Sequence, residues 1–385
     1  MDQLAAPRES RLWSPAFLRI VAAQGAFGFA WCSFLLQPKF FTGPLGVGPR
    51  EVGFVNATSG VASVAAIAVL VSVVDRRGGR RAAFIAGALL LFACSLGYLA
   101  VDRFGPLVFL LQAGVAASYV LSFNAAMALV TDVAPAERLG QGFGLQSAAN
   151  LSMNAVATTT TEAISEHFGW HSIYGLAAVA ALLCFLVGLG LPAGRAHAEG
   201  PTDPPPVRAL LPIFITSAFL GAAFSSMFVF HQPYAVSLGA KRVGTFFVGF
   251  TAAALLMRLG FGSLGDRLGR KRTVLVSLVL YTLVPLSMSR LSTSVLWAYG
   301  AGLGIAHGVA YPTLTALAAE RTPDSARGRA IALFSGAFSI GSSGGALAWG
   351  QVAAHAGYPV MFVCSSACVL LALLTLVGLR DETAS

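Results

Sequence analysis

Three ionisable side chains interrupt long apolar stretches of this sequence, and they are the first candidates for chemistry. They are His231, Arg258 and His307. Histidine titrates near neutral pH and can carry a proton, whereas arginine keeps its charge and can bind an anion. For each histidine, the alternative is a structural side chain whose hydrogen bonds are satisfied by its neighbours. The functional interpretation gains weight if these stretches cross a membrane, where ionisable residues are costly and usually functional.

Polar side chains also recur at every fourth position of one apolar stretch. They are Gln146, Asn150, Asn154, Thr158 and Glu162. Steps of four keep side chains on one slowly rotating face of a helix. We expect Gln146, Asn150 and Asn154 to line a cavity and Glu162 to cap a helix end. The alternative is hydrogen bonding between neighbouring helices, which polar residues in membranes commonly make.

Further candidates lie in other apolar stretches. Gln24 and Trp31 are two turns apart on one helix face, and Trp31 could stack on a bound solute. The stretch 106–131 adds Asn124. His307 and Tyr311 are spaced by four residues, so they share a face. Ordinary packing is the alternative for each aromatic ring.

Catalytic and metal chemistry find little support. Met227 and His231 are four residues apart, and a thioether with an imidazole could ligate Cu(I), although such a pair also suits simple packing. No nucleophile–base set, nucleotide-binding loop or cluster of metal ligands occurs in the sequence. We therefore expect no enzyme, no cofactor, no metal centre and no ATP-driven pump within this chain.

Composition identifies the surroundings of these residues. The 385-residue chain is 56% hydrophobic and only 11% charged, whereas a soluble domain carries about a quarter charged residues. A helix needs roughly 20 apolar residues to cross a bilayer, so there is room for about a dozen spans. The net charge of +9 comes mostly from short loops, which is typical of a membrane protein's positive-inside bias and not of nucleic-acid binding. We predict an all-α integral membrane protein.

Twelve apolar runs follow one another along the chain. They cover about residues 16–37, 52–74, 82–100, 106–131, 141–162, 171–191, 209–234, 244–264, 273–290, 295–319, 330–354 and 359–379. A Pro/Gly-rich stretch divides them six and six, which predicts an N-terminal bundle (1–191), a linker (192–208) and a C-terminal bundle (209–385). Lys and Arg number 17 on the side of the N-terminus and 6 on the other. The positive-inside rule then places both termini and the linker in the cytoplasm.

Two basic loops occupy equivalent places in the two sets of six. The first reads Asp75-Arg76-Arg77-Gly78-Gly79-Arg80-Arg81, and the second reads Gly262-Ser-Leu-Gly-Asp266-Arg-Leu-Gly269-Arg-Lys-Arg272. Loops 132–140 and 320–328 also match each other in their acid, proline and glycine. Two matched pairs of loops indicate a duplicated design, in which transporters bind their substrate between the halves near the membrane midplane.

At these loops the chain resembles the major facilitator superfamily. The signature of that family between spans 2 and 3 is Gly-x-x-x-Asp-Arg-x-Gly-x-Arg-Arg, which the second loop matches in full and the first from Asp75 onward. The resemblance implies a twelve-span fold of two six-helix pseudo-repeats, secondary transport, and a charged latch that biases the outward-open state. Simple topology signalling is the alternative for most of the arginines. The implied switch residues are Asp75, Arg76, Gly78, Arg80, Arg81, Gly262, Asp266, Arg267, Gly269, Arg270, Lys271 and Arg272.

Within that family the chain is most similar in general appearance to sugar-efflux and drug-efflux members. Proton-coupled drug antiporters carry an arginine in span 4 where this chain has Phe109, and their Gly-Pro pair in span 5 is absent here. Arg258, with Gly262 four residues later, also resembles the substrate-binding arginine of monocarboxylate transporters. Ala254 stands where those proteins have an aspartate.

The combined prediction is a secondary active transporter in a bacterial plasma membrane. We expect a monomer that exports a small organic solute by alternating access, coupled to protons. The predicted cavity residues are Gln24, Trp31, Asn124, Gln146, Asn150, Asn154, His231, Arg258, His307 and Tyr311. An organic-anion or monocarboxylate carrier using Arg258 is the first alternative, and a copper importer using Met227 and His231 is the second. Two other classes fit the sequence less well. A membrane enzyme would need a catalytic set, which we do not find, and a receptor would typically carry a soluble signalling domain, whereas both tails here are short.

Overall fold

The computed structural model describes residues 12–74, 76, 78–194, 204–261 and 267–378, and every regular element in these ranges is helical. The helices are α1 (Pro15–Thr42, with a 3₁₀ turn at Ser33–Leu36), α2 (Pro49–Val74), α3 (Gly79–Tyr98), α4 (Pro106–Val133), α5 (Leu139–Phe168), α6 (His171–Gly188), α7 (Val207–Ser237), α8 (Thr245–Gly260), α9 (Arg270–Met288), α10 (Leu296–Glu320) and a final helix, Arg327–Val377. The final helix breaks at Gly357, and we label residues 327–356 α11 and residues 358–377 α12.

Length and composition make most of these helices membrane-spanning. Within the described ranges, eight helices are long and apolar enough to cross a bilayer, the final 51-residue helix among them. α8 is a shorter apolar helix. α5 and α10 are long enough but less apolar, and α5 carries the polar face that the four-residue spacing predicts. With the final helix supplying two spans, the prediction of twelve helical spans is confirmed.

Local sequence explains where several helices begin and end. Pro15, Pro49 and Pro106 each open a helix, where a fixed φ and a missing N–H do no harm. Gly357 has a φ of 85° and a ψ of 163°, a conformation that residues with a Cβ rarely adopt. The break at Gly357 therefore separates α11 from α12.

The two sets of six helices repeat the same packing. In the first set, α1 packs on α5 and α6, α2 packs on α4, and α3 packs on α4 and α6. In the second set, α7 packs on α11 and α12, α8 packs on α10, and α9 packs on α10 and α12. Each pairing recurs six helices later, which confirms the predicted pseudo-repeat. The bounds of the predicted linker remain a prediction, because residues 195–203 lie outside the described ranges.

The halves meet mainly along two helix pairs, α2 with α11 and α5 with α8, and a smaller contact joins the end of α1 to α7. The first contact is made by small residues. A Cβ added to Gly53 would lie 2.6 Å from the carbonyl oxygen of Ala346, and one added to Gly350 would lie 2.8 Å from that of Pro49. Small residues let helix backbones approach closely inside membranes, so this pair forms a tight glycine seam.

Candidate functional site

The polar face of α5 is held mainly by hydrogen bonds to α1. Gln24 Nε2 donates to Asn150 Oδ1 at 2.9 Å, and Cys32 Sγ donates to Asn154 Oδ1 at 3.0 Å. Asn150 and Asn154 are both buried. The face therefore joins two helices of the first half, as the interhelical alternative anticipates.

Two side-chain amide atoms on or beside this polar face make no hydrogen bond with any described residue. Gln24 Oε1 and Gln146 Nε2 are buried, and neither has a hydrogen-bond partner in the described part of the chain. Such groups are costly to bury unsatisfied. They are thus available to a solute or to water entering between the halves.

Tyr119 of α4 connects this polar face to the second half, and the sequence pattern did not single it out. Its ring packs on Trp31 at 4.6 Å and stacks on Phe123 at 5.1 Å between centroids. Its hydroxyl lies against the Asn150 side chain and interacts electrostatically with Arg258 and Tyr311. A tyrosine within an apolar run carries no charge or spacing signal, so only the fold reveals this position.

Arg258 lies where the α5–α8 contact opens. One face of α8 carries Phe250, Ala254 and Arg258 at successive steps of four, and the first two are 3% and 1% exposed. Arg258, in contrast, is exposed, although it interacts with Tyr119, Tyr311 and His307 from both halves. Toward the same end of the molecule, Gly140 and Gly144 of α5 have no neighbour that a Cβ would meet within 4 Å. From the exposed guanidinium and these two uncrowded glycines we infer that α5 and α8 separate toward the end that carries the basic loops.

No carboxylate in the described residues forms an ion pair with Arg258. The other arginine within a span, Arg19, donates to the carbonyl of Gly190 at 3.4 Å. An exposed guanidinium that interacts with two tyrosines and has no carboxylate partner in the described part of the chain is suited to a planar anion, which it can hold with two parallel hydrogen bonds.

His307 lies beside Arg258 in a group of aromatic rings. Its ring centroid is 4.8 Å from that of Phe224, 5.3 Å from that of Tyr311 and 5.8 Å from that of Phe338. The Tyr281 hydroxyl lies 3.4 Å from His307 Nδ1. The structure thus brings His307 and Tyr311 together with Arg258, and it surrounds them with apolar rings that suit a flat or apolar solute.

His231 lies apart from this group. It is fully buried, its Nδ1 donates to the Met227 carbonyl at 2.7 Å, and its ring stacks on Phe246 at 3.9 Å. Among the described residues, no three His, Cys, Asp or Glu side chains are placed to hold a metal ion. Asn124 also lies outside the group, since it is exposed and donates to the Val120 carbonyl of its own helix at 2.8 Å.

The basic loops make ion pairs within each half. Arg80 Nη1 lies 2.8 Å from Asp132 Oδ1, and Arg270 Nη1 lies 3.3 Å from Glu320 Oε2. Each pair joins the first turn of the third helix of a half, where the basic sequence ends, to the end of its fourth helix. Arg81 donates to the Leu189 carbonyl. Arg76, Arg267 and Arg272 are exposed and Lys271 is half-buried, whereas Asp75, Gly262 and Asp266 lie outside the described residues.

The opposite end of the molecule is closed by a charged contact between the halves. Glu162 Oε1 and Oε2 accept hydrogen bonds from the backbone N–H groups of Val243 and Gly244, each at 2.8 Å. Lys39 pairs with the same carboxylate and donates to the carbonyl of Lys241. Glu162 therefore caps a helix end, but that helix is α8 of the other half and not its own helix, α5. We call these four residues and Glu162 the clasp.

A second ion pair flanks the clasp. Arg242 Nε and Nη2 donate to the two carboxylate oxygens of Glu166 at 2.8 and 2.6 Å. Glu166 lies beyond the predicted bounds of the fifth span, at the exposed end of α5. The hydrogen bonds and charge of Arg242 hold the pKa of the Glu166 carboxyl below its ordinary value. Sequence reasoning missed both contacts, because they join residues 76 or more positions apart.

Comparison with known proteins identifies the family. The family model described as Major Facilitator Superfamily matches residues 20–241 and, in a second match, residues 213–385. Together these matches cover nearly the whole chain. The chain belongs to the Major Facilitator Superfamily. It is therefore a multi-pass membrane protein of a transporter family and not an enzyme.

Curated relatives within the superfamily include bacterial proteins named for drug resistance. The multidrug resistance protein MdtG of Escherichia fergusonii is 25% identical over 266 residues, which make up 64% of each chain. MdtG of Salmonella choleraesuis is 23% identical over 276 residues, or 67% of each chain. The matched part of this chain thus spans about two thirds of the length of these relatives.

Solved superfamily structures share the fold over nearly the full chain. A mutant of the nucleoside transporter NupG has a TM-score of 0.83 at 13% identity, covering 95% of this chain and 100% of that one. The peptide transporter POT in complex with sulfate has a TM-score of 0.80 at 14% identity, covering 94% and 93%. The human organic anion transporter MFSD10 (TETRAN) has a TM-score of 0.68 at 15% identity, covering 94% and 100%. Likeness at these identities establishes the fold alone.

Proposed function

We propose that this superfamily member is a secondary active transporter that exports a small organic solute by alternating access, coupled to protons. The observation that carries the proposal is the α5–α8 contact, which is closed by the clasp at one end and open around Arg258 at the other. Such a wedge gives a solute access from one side only. The drug-resistance names of the MdtG relatives favour export.

The two halves are the moving bodies of this proposal. We assign residues 1–191 and 209–385 to them, with residues 192–208 as their connection. The Lys and Arg distribution favours a cytoplasmic location for the basic loops. The open side of the wedge then faces the cytoplasm of a bacterial cell, and the clasp closes the outer side. We expect the protein to work as a monomer, because one chain supplies both halves of the site.

Proton coupling is supported by titratable groups between or beside the halves. Glu162 and Glu166 are carboxylates that bridge the halves, and Glu162 is the more buried of the two. His307 lies next to Arg258. Either Glu162 or His307 can exchange a proton when the halves separate on its side, which would link solute movement to a proton gradient.

Transport in proteoliposomes tests the proposal. Purified protein is reconstituted into vesicles of phosphatidylethanolamine and phosphatidylglycerol, and an imposed pH gradient drives uptake of labelled solutes. We expect accumulation of at least one solute that stops when a protonophore collapses the gradient. Equal movement with and without the gradient would rule out proton coupling. If no labelled solute moves, the protein does not transport any of the solutes tested.

The second candidate is an organic-anion carrier that uses Arg258. It is favoured by a specific observation, since Arg258 is exposed between the halves with two tyrosines and no described carboxylate partner. A planar carboxylate on a small apolar body would pair with the guanidinium, while its body would rest on the aromatic group around His307.

Competition between solutes of different charge tests this candidate. The probes are lactate and benzoate as anions, uracil as a neutral compound and tetraphenylphosphonium as a cation. We expect the anions to compete with one another for transport and the cation to have no effect. Transport of the cation with no response to either anion would remove this candidate and leave the broader proposal in place.

A further inference from the structure

Glu162 is surrounded by donors from both halves of the molecule. Its two oxygens accept from Val243 N and Gly244 N, and Lys39 pairs with one of them. Its side chain is only 4% exposed. An ionised carboxylate can accept all three bonds at once. Because these bonds are charge-assisted, each is stronger than a neutral one, and the first turn of α8 adds a favourable dipole.

The α2–α11 contact between the halves has no comparable charge. This seam is made of Gly53, Gly60, Ser343, Ala346 and Gly350, which pack through backbone and small side chains. Packing of this kind does not respond to protonation. The groups between the halves that do respond are the buried carboxylate of Glu162 and the more exposed Arg242–Glu166 pair beside it.

Protonation of Glu162 would weaken the contacts of the clasp. A carboxylic acid presents one hydroxyl donor, so one of the two facing N–H groups would meet a donor instead of an acceptor. The ion pair with Lys39 would also be lost. The first change weakens the attachment of α5 to the start of α8 directly. The second frees Lys39, which also donates to the carbonyl of Lys241 in the other half.

We propose that the ionised carboxylate of Glu162 holds the outer side of the transporter shut, and that a proton arriving at Glu162 releases it. This inference rests on the proposed alternating-access function and names the group through which external protons act. The charged and titratable groups that face Glu162 are Lys39 from α1 and Lys241 and Arg242 from the loop before α8. Glu166 and His167 follow on its own helix.

Distance measurement between the halves tests the proposal. Spin labels are placed at Asp102→Cys and Ser294→Cys, exposed positions on loops of the two halves at the clasp end. The background carries Cys364→Ala and Cys368→Ala, because the remaining cysteines are buried. Electron–electron double resonance is then recorded between pH 7 and pH 3.5 in nanodiscs of phosphatidylethanolamine and phosphatidylglycerol.

The wild-type protein should show a short distance at pH 7 and a growing long-distance population as the pH falls toward 3.5, because the bonds of the clasp favour the ionised carboxylate. Glu162→Gln should favour the long distance roughly tenfold at every pH, because it places an amide donor against the facing donors. Gly244→Ala is the second variant. Its Cβ would lie 2.8 Å from Glu162 Oε2, so it displaces the flexible carboxylate while leaving the helices in place, and it should act in the same direction.

Glu320→Gln is the matched control, because it removes a carboxylate from an ion pair within one half and should leave the distances unchanged. Wild-type distances in both Glu162→Gln and Gly244→Ala would overturn the proposal. So would a pH response that persists in Glu162→Gln but vanishes in Glu166→Gln. If the variants give these results while the wild-type protein still transports solute, Glu162 does not hold the outer side shut, and the proposed transport function stands.

Discussion

Arg258 and Tyr119 come from opposite halves of the molecule and interact across the space between them. Arg258 lies on α8 in the second half, and Tyr119 lies on α4 in the first. Asn150 and Trp31 hold the tyrosine from its own half. A solute bound to both residues would contact both moving bodies, which is what a carrier needs if solute is to influence their movement.

The hydroxyl of Tyr119 should contribute to solute affinity. Tyr119→Phe keeps the ring packed on Trp31 and removes only the hydroxyl. A single lost hydrogen bond should weaken apparent affinity by about 2–10-fold, with little change in the amount of folded protein. The measurement is the solute concentration that gives half-maximal transport.

Tyr299→Phe is the control for that measurement. The Tyr299 hydroxyl accepts from Ser292 N in a loop at the clasp end, so its removal should leave solute affinity unchanged. Equal affinities for the wild type and Tyr119→Phe would show that the hydroxyl does not contact the solute.

The two basic-loop ion pairs should differ in their effect on stability. The Arg80 and Asp132 side chains are 8% and 5% exposed, whereas those of Arg270 and Glu320 are 31% and 58% exposed. Asp132→Ala leaves a buried guanidinium without this carboxylate and should cost about 3 kcal/mol or more. Glu320→Ala should cost less than about 1 kcal/mol. Thermal unfolding in detergent compares them, and equal losses would contradict the assigned burial.

The glycines of the two basic loops should resist replacement for conformational reasons. Gly78 has a φ of 76° and Gly269 a φ of 85°, and each directly precedes a helix. A Cβ would meet nothing closer than 4.0 Å at Gly78 and nothing within 4 Å at Gly269, so any cost arises from the backbone alone. Each change to alanine should destabilise the protein by about 1–2 kcal/mol.

Gly140→Ala provides the matched control for these glycines. It also has open space around its Cα, but it lies within α5, where alanine is favoured over glycine by about 0.5–1 kcal/mol. Its melting temperature should stay level or rise. A fall equal to that of Gly78→Ala would show that the left-handed backbone is not the cause.

The Arg242–Glu166 pair should make a pH-dependent contribution to stability. Arg242 lowers the pKa of Glu166 from its ordinary value of 4.5, so the folded state favours the ionised form. The contribution is therefore fully present above pH 4.5 and is lost as the pH falls through the lower, folded pKa. Since both side chains are partly exposed, the effect should be small and weaker in high salt.

Melting temperatures of the wild type and Glu166→Gln, measured from pH 7 to pH 3.5, check this prediction. The two curves should differ at pH 7 and converge in acid. A difference that grows as the pH falls would have the wrong sign for a lowered carboxyl pKa.

Much of the fold could be predicted from sequence because a membrane imposes simple length and polarity rules. The apolar runs located the twelve spans, although α5 continues to Phe168 and so carries Glu162 inside a helix and not at its end. The steps of four on α5 predicted a shared polar face, which the structure shows packed on α1.

The site was harder to predict because its contacts join distant parts of the chain. His231 and His307 look equivalent in sequence, yet one is packed against Phe246 and the other lies beside Arg258. Tyr119 gives no signal in an apolar run. Lys39 and Glu162 are 123 residues apart, so only the packing of α1 on α5 and of α5 on α8 brings the clasp together.

Transport by Arg258 variants tests the central claim most directly. Flux of labelled lactate and benzoate is measured in proteoliposomes under a fixed pH gradient for the wild type, Arg258→Ala, Arg258→Lys and Arg19→Ala. Losing charged hydrogen bonds should reduce Arg258→Ala transport about 10–100-fold, with partial recovery in Arg258→Lys and none of this loss in Arg19→Ala. Wild-type flux in Arg258→Ala would contradict a solute site centred on Arg258.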